Sequence, residues 1–246
     1  MKKIIVTFVL FFVVGNVLAQ SLAINTDGST SSASAMLDVK STAKGFLPPR
    51  MDSTQRNAIA APAAGLTIYN TSINALQYYN GTAWYSTVHF VGENYGGGIV
   101  FFVYDNGQHG LIASTADQST GIRWSASPSA YTRAESDGIN GGQNNTAIII
   151  GSEAAVDGNQ FAPTMCNAFS STIAGITYGN WYLPSKYELN LLYLQKTIVG
   201  GFVAAEYWSS TEQGNGGANN QNFGTGVQTV SSKSVATIRV RAIRSF

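Results

Sequence analysis

Three scarcities bound what this chain can be. It has a single cysteine, Cys166, so no intrachain disulfide can form. It has two histidines, His89 and His109, far from each other and from that cysteine, which is no zinc ligand set. Charged side chains make up only 11% of its 246 residues, with 14 basic against 13 acidic, so it carries no electrostatic footprint for nucleic acid. Beyond the first twenty residues no apolar run is long enough to cross a bilayer. The abundances point the same way. With 44% hydrophobic residues and 26 glycines, the chain reads as a neutral, turn-rich, β-containing protein rather than a disordered one.

The N-terminus is read as a targeting segment. Lys2 and Lys3 precede an apolar stretch from Ile4 to Val14, and Val17-Leu18-Ala19 ends in a small residue. That order predicts a signal peptide, residues 1–19, cleaved after Ala19. Without Lys2 and Lys3 the balance becomes 12 basic against 13 acidic. No cysteine lies near the cleavage point to be acylated. The expected location is outside the cytoplasm: extracellular, cell-surface or periplasmic, with no stable membrane span after cleavage.

Two further regions are expected. Residues 20–91 form an extended, hairpin-rich stalk segment. Its first part, 20–43, is rich in Ser, Thr and Ala without periodicity. Pro48-Pro49 enforces extended backbone, and Asp52 or Ser53 can cap a short helical turn. Strands are predicted at Leu66–Tyr69, Leu76–Tyr79 and Ala83–Tyr85, with Asn80-Gly81 as a two-residue hairpin signal. So short a segment cannot bury a core alone and must pack on the next domain or on copies of itself.

Residues 92–246 form the second region. Ile99–Tyr104 and Gly110–Ala113 read as paired strands around Asp105-Asn106-Gly107. Residues 114–146 are loop-like, with Trp124 as an anchor, and Thr146–Ile150 and Gln160–Phe169 are helix candidates. Ser185 with Glu188 spells a capping box for a helix to Lys196, with Leu189, Leu192 and Tyr193 on one face. Tyr207–Thr211 is a strand, residues 212–222 an Asn/Gly-rich loop, and Val235–Arg244 a closing strand. The fold class is therefore α+β.

Candidate chemistry is sparse. His109 and His89 have no nucleophile or carboxylate set beside them in sequence, and Cys166 sits in a small, apolar context that suits a packed thiol. The glycine clusters Gly96–Gly98 and Gly138–Gly142 lack the Lys-Ser/Thr of a phosphate loop. No acidic pair has a spacing that argues for a glycosidase. No cofactor is expected. Asp105-Asn106-Gly107 and Glu212-Gln213-Gly214-Asn215 are fragments of a calcium loop, so Ca²⁺ is the one ion they leave open. Arg239, Arg241 and Arg244 could form an anion stripe; the wet face of a strand, or pairing with local carboxylates, is the favoured reading. The segment after Tyr207-Trp208 carries Glu212, Asn215, Asn219, Asn220, Gln221 and Asn222, whose amides both donate and accept and so suit sugar hydroxyls. An ordinary solvated loop is the equal alternative.

Three motifs together resemble a known module. Asn180-Trp181-Tyr182-Leu183-Pro184-Ser185-Lys186-Tyr187-Glu188-Leu189, Tyr207-Trp208-Ser209-Ser210-Thr211-Glu212 and Val240-Arg241-Ala242-Ile243-Arg244 are similar to the C-terminal domain of collagen-like adhesins, a domain of unknown function in bacteria. Gly97–Phe102 and Gly107–Ala113 resemble its opening hairpin. The resemblance implies a C-type lectin-like fold, a twisted antiparallel sheet with two helices and a long variable loop region, in exported proteins of which some bind glycans or host surfaces. Residues 33–87, through Ala35–Val39, Gly45–Met51 and Tyr79–Trp84, resemble a segment found at the start of bacterial surface and fibre-like proteins. The cysteine pair of the related sulfatase-activating oxidases is absent, as are the Glu-Pro-Asn and Trp-Asn-Asp tripeptides of calcium-dependent lectins.

The sequence thus predicts a non-enzymatic surface binding or adhesion protein, recognising a glycan or another polar surface polymer or protein through residues 212–222. A fibre or envelope subunit that oligomerises through its N-terminal segment, with a lectin-like cap, is the alternative. A hydrolase of surface polysaccharide is a third reading.

Overall fold

The computed structural model describes residues 21–153 and 156–246. The predicted signal peptide lies outside the described residues. The chain divides into two compact units after Pro49.

In the first unit, β1 (Leu22–Ile24) pairs in parallel with β2 (Leu37–Val39), Leu22 opposite Leu37 and Ile24 opposite Val39. The connection is tied by polar side chains. Lys40 meets Asp27 at 2.7 Å and holds its carboxyl far below the usual carboxylate range, aided by Ser29. Asp38 accepts from the Ser32 amide at 2.8 Å. No residue from 21 to 49 is buried. A two-stranded ribbon of this size has nothing to bury its apolar side chains against.

The second unit begins at Arg50, so residues 50–91 belong with the C-terminal residues rather than with 20–49, as the sequence grouping has them. The His89 amide donates to Gly107 and the Gly92 amide to Val100, tying the two stretches together. A four-stranded sheet runs β3 (Arg50–Met51), β4 (Thr67–Asn70), β5 (Ala75–Tyr79), β6 (Trp84–Ser86), with β3–β4 parallel and the rest antiparallel. Between β3 and β4 lies α1 (Ser53–Asn57), capped by Asp52 with Gln55 in a reciprocal box. The turn after β5 spans four residues, not two. The Asn80 side chain accepts from the Thr82 and Ala83 amides at 2.9 and 2.8 Å, and its own N–H reaches Ala83.

The remaining strands and helices follow in order. β7 (Asn94–Tyr95), β8 (Gly98–Tyr104) and β9 (His109–Ala113) precede α2 (Gly141–Glu153) and α3 (Ala162–Ala168). A hairpin of β10 (Ser171–Ile173) and β11 (Ile176–Tyr178) leads to α4 (Lys186–Leu194) and α5 (Lys196–Val199). Then come β12 (Glu206–Gln213), β13 (Gly217–Asn222), β14 (Gln228–Ser232) and β15 (Ile243–Ser245). The fold is mixed α+β, with five short helices among the described residues. Ser185 caps α4 and closes the expected box with Glu188. The helix candidates near 146–150 and 160–169 are present as α2 and α3, the first starting earlier, at Gly141.

Two expectations differ from what is found. Among the described residues, 92–246 hold three separate antiparallel sheets, β15-β9-β8-β7, β12-β13-β14 and the two-stranded β10-β11, and four helices, not one sheet with two. Val235–Arg244 is not a continuous strand either. Only Ile243–Ser245 forms a ladder, on β9, and the stretch before it touches its neighbours by single bridges, Ser119 to Val240 and Tyr207 to Arg239. Its arginines turn inward to a carboxylate, which breaks the alternation of an edge strand.

The core is centred on three tryptophans. Trp124, Trp181 and Trp208 are fully buried, and each indole N–H has a backbone acceptor. Trp124 donates to Ser209 at 2.7 Å, Trp208 to Ile122 at 2.8 Å and Trp181 to Tyr178 at 2.9 Å. The three motif segments are direct neighbours: Tyr182 and Ile243 exchange both backbone hydrogen bonds, and the Ser210 amide donates to Pro184.

Candidate functional site

The segment predicted to be a binding loop is mostly a strand. Gly217–Asn222 is β13, the middle strand of its sheet, and Asn219, Asn220 and Gln221 are buried. Their amides are engaged internally. Asn219 donates to the Thr211 carbonyl at 2.9 Å, Asn220 to the Ser231 hydroxyl at 2.8 Å, and Gln221 to Asn190 and the Gly226 carbonyl at 2.9 and 3.0 Å. Asn222 is half-buried and accepts from the Gly224 and Thr225 amides. Asn215, in the β12–β13 turn, is the exposed member of the set. The loop reading is therefore corrected: buried amides in a polar strand must find partners, and these find them inside the protein.

Glu212 is also spent internally. Its side chain and that of Lys233 are both fully buried and form an ion pair. The ammonium also donates to the Ala130 carbonyl at 2.6 Å and the Asn215 carbonyl at 3.1 Å, which uses its three protons. The carboxylate accepts from the Thr132 and Arg133 amides at 3.0 and 2.7 Å and from the Thr132 hydroxyl. The partial calcium loop thus presents an ammonium where a cation would sit.

Arg241 is not on a wet face. It is fully buried and fans out over the Asp117 carboxylate, the Ser114 carbonyl at 3.0 Å and the Gly200 and Gly201 carbonyls at 3.3 and 2.7 Å. Arg239 and the Tyr207 hydroxyl complete the Asp117 shell at 2.9 and 3.1 Å. The alternative expectation, pairing with a local carboxylate, describes Arg239 and Arg241. Arg244 donates to the Gly96 carbonyl and lies over the rings of Tyr178 and Trp181.

Glu188 does more than cap. Burial pushes its carboxyl above the usual range, while N–H groups of Ser185, Asn140 and Gly142 pull it back. Through those contacts, at 2.8, 2.7 and 3.0 Å, it joins α4 to the start of α2. Cys166 is buried, and desolvation drives its thiol far above the ordinary value. His109 is exposed beside Tyr104. His89 hydrogen-bonds Glu93 at 2.8 Å and packs against Tyr95 and Phe246, beside a cleft of ≈ 530 Å³ that Arg56 and Trp84 also line. Among the described residues no group of three or more His, Cys, Asp or Glu is placed to hold a metal. No helix among them is long and apolar enough to cross a membrane.

Among the described residues there is also exposed apolar surface. In the first unit Leu22, Ile24, Leu37 and Val39 share one face of the ribbon, all exposed, with Met36, Phe46 and Leu47 also bare. Composition alone marks this segment only as extended; the alternation of Leu22, Ile24 and of Leu37, Val39 is the signal that marks the face.

Residues 23–99 match the model of a family described as a phage tail-like trimerisation region. The match spans the ribbon from Ala23 on, the four-stranded sheet, β7 and the first residues of β8. It gives this part of the chain as a fibre-like stalk and supports homo-oligomerisation through it. Among curated proteins none matches the chain.

Proposed function

We propose that the protein is the subunit of an exported, trimeric, fibre-like surface structure without enzymatic activity. Residues 23–99 would assemble with two further copies, and the remaining C-terminal residues would form the globular part that the assembly displays. The observation that carries this is the ribbon β1–β2. Four aliphatic side chains line one face, no residue from 21 to 49 is buried, and all of the ribbon but Leu22 falls within the trimerisation match. Exposed apolar surface of this kind in a unit too small for its own core favours burial against other copies. Light scattering on the purified protein tests it: a mass of three chains is expected, and a clean monomer at micromolar concentration would overturn it.

Adhesion is the second reading, and it belongs to the C-terminal residues. The resemblance to the lectin-like domain of collagen-like adhesins rests on three motif segments, and these are hydrogen-bonded to one another around Tyr182, Ser210 and Ile243, which favours their being one module. Recognition of a glycan or another polar surface ligand then falls to solvent-facing residues such as Asn215 rather than to the buried amides of β13. Glycan-array and matrix-protein binding by the purified protein is expected. Binding to none of glycans, matrix proteins or envelope polymers would leave the structural role alone.

A further inference from the structure

The four-stranded sheet β3–β6 is covered on one side and bare on the other. Its register places Ile68, Asn70, Ala75 and Gln77 together, and all four are buried. Helix α1 covers this side: Arg56 reaches Gln77 at 2.7 Å, and Asn70 donates to the Ser53 hydroxyl at 3.0 Å. The opposite face carries Thr67, Tyr69, Leu76, Tyr78 and Tyr85. Leu76, Tyr78 and Tyr85 are 40%, 43% and 50% exposed, and the rings of Tyr78 and Tyr85 stack at 5.9 Å. The charged side chain in register with this face is Arg50, opposite Tyr69 at the edge.

We infer that this bare face is a contact surface between copies of the chain, resting on the trimer reading above. A sheet face left to water ordinarily alternates polar residues outward. Here the outward positions are aromatic and aliphatic, with tyrosines that combine large apolar area, little conformational entropy and a hydroxyl for the rim, the composition favoured at protein interfaces. A second copy is the occupant because every residue of the face lies inside the stretch matched to a trimerisation region. In a three-fold assembly the contact is head-to-tail, so the face packs on a different surface of the neighbour rather than on itself.

Tyrosine nitration of the purified protein, mapped by peptide mass, tests this alongside its mass in solution. Tyr187, 45% exposed and outside the matched stretch, is the internal standard. In the trimer Tyr78 and Tyr85 are expected to react several-fold more slowly than Tyr187. A trimer in which Tyr78 and Tyr85 react as fast as Tyr187 would overturn the assignment of this face and leave trimerisation standing. A monomer would overturn the trimer reading and this inference with it. Leu76→Asp supplies an independent measure, since Leu76 packs outward and the chain should still fold. The concentration at which the trimer half-dissociates should rise by about tenfold or more. If it does not move, the face is not a contact.

Discussion

Lys233 reaches Glu212 across the sheet with neither side chain in contact with water. Every ammonium proton and both carboxylate oxygens have partners, and the ammonium also lies 5.1 Å from the ring of Trp124. Such a pair fixes how the β12–β13 turn and residues 130–133 meet, whatever its net energy. Removing one partner strands the other charge. Lys233→Met is therefore expected to lower the unfolding free energy by about 3–5 kcal/mol. The double variant Lys233→Met with Glu212→Leu should recover part of that loss, since it removes the stranded charge but leaves the Thr132 and Arg133 amides without their acceptor. Chemical denaturation of the two variants measures both values, and equal losses in both would mean that lost packing, not a stranded charge, is responsible.

Arg241 uses the whole guanidinium, with donors on Asp117 and on three carbonyls. A lysine keeps the charge but offers three donors from one point. Arg241→Lys should cost about 1–3 kcal/mol by leaving buried carbonyls unpaired. A melting temperature unchanged from wild type would contradict this account of the C-terminal motif.

Two glycines of α2 predict opposite signs. A β-carbon at Gly142 would meet Glu188 Oε2 at 2.5 Å, the Leu183 carbonyl at 2.5 Å and the Ser185 amide at 2.6 Å, all held in the α2–α4 junction. Gly142→Ala should destabilise by about 1–3 kcal/mol. Gly151, on the exposed side of the same helix, has nothing within 4 Å, so Gly151→Ala should stabilise by about 0.5–1 kcal/mol. Thermal melts of the pair decide it.

Cys166 should be silent to thiol reagents in the folded protein. Its sulfur is buried and its thiol is held protonated well past neutral pH, so the nucleophilic thiolate is scarce. Raising the pH from 7 to 9 should barely change the rate of labelling until the protein unfolds, after which one thiol per chain should react. Rapid labelling under native conditions would show that α3 opens.

Much of the scaffold was readable because its signals are local. Ser185 and Glu188 sit three residues apart, so that cap follows from sequence separation alone, whereas Asp52 and Ser53 were both open as the cap of α1 and the structure selects Asp52, with Gln55 three residues on. The strand pair around Asp105-Asn106-Gly107 follows from an apolar run, a turn and a second apolar run. The conformation of 217–222, a strand where a loop is expected, was not legible for the opposite reason. Asn219, Asn220 and Gln221 have the composition of a loop, and they form a central strand because their partners, Thr211, Ser231, Thr229 and Asn190, arrive from other elements. A local hint was present, since Gly214-Asn215-Gly216 directly after a strand is turn chemistry for a hairpin. The Glu212–Lys233 and Asp117–Arg241 pairs span 21 and 124 residues, and no periodicity reports a partner that distant.

The tryptophans also divide the molecule optically. The chain has four, and three are sealed in the C-terminal core with their indole N–H groups bound to carbonyls. The fourth, Trp84, is half-buried on β6, under the Arg56 guanidinium and beside Tyr79. Three emitters therefore track the packing of the core, while one lies within the stretch matched to trimerisation. With Trp84 replaced by Phe, fluorescence becomes a record of the core alone, and the difference from wild type isolates what assembly does to the sheet.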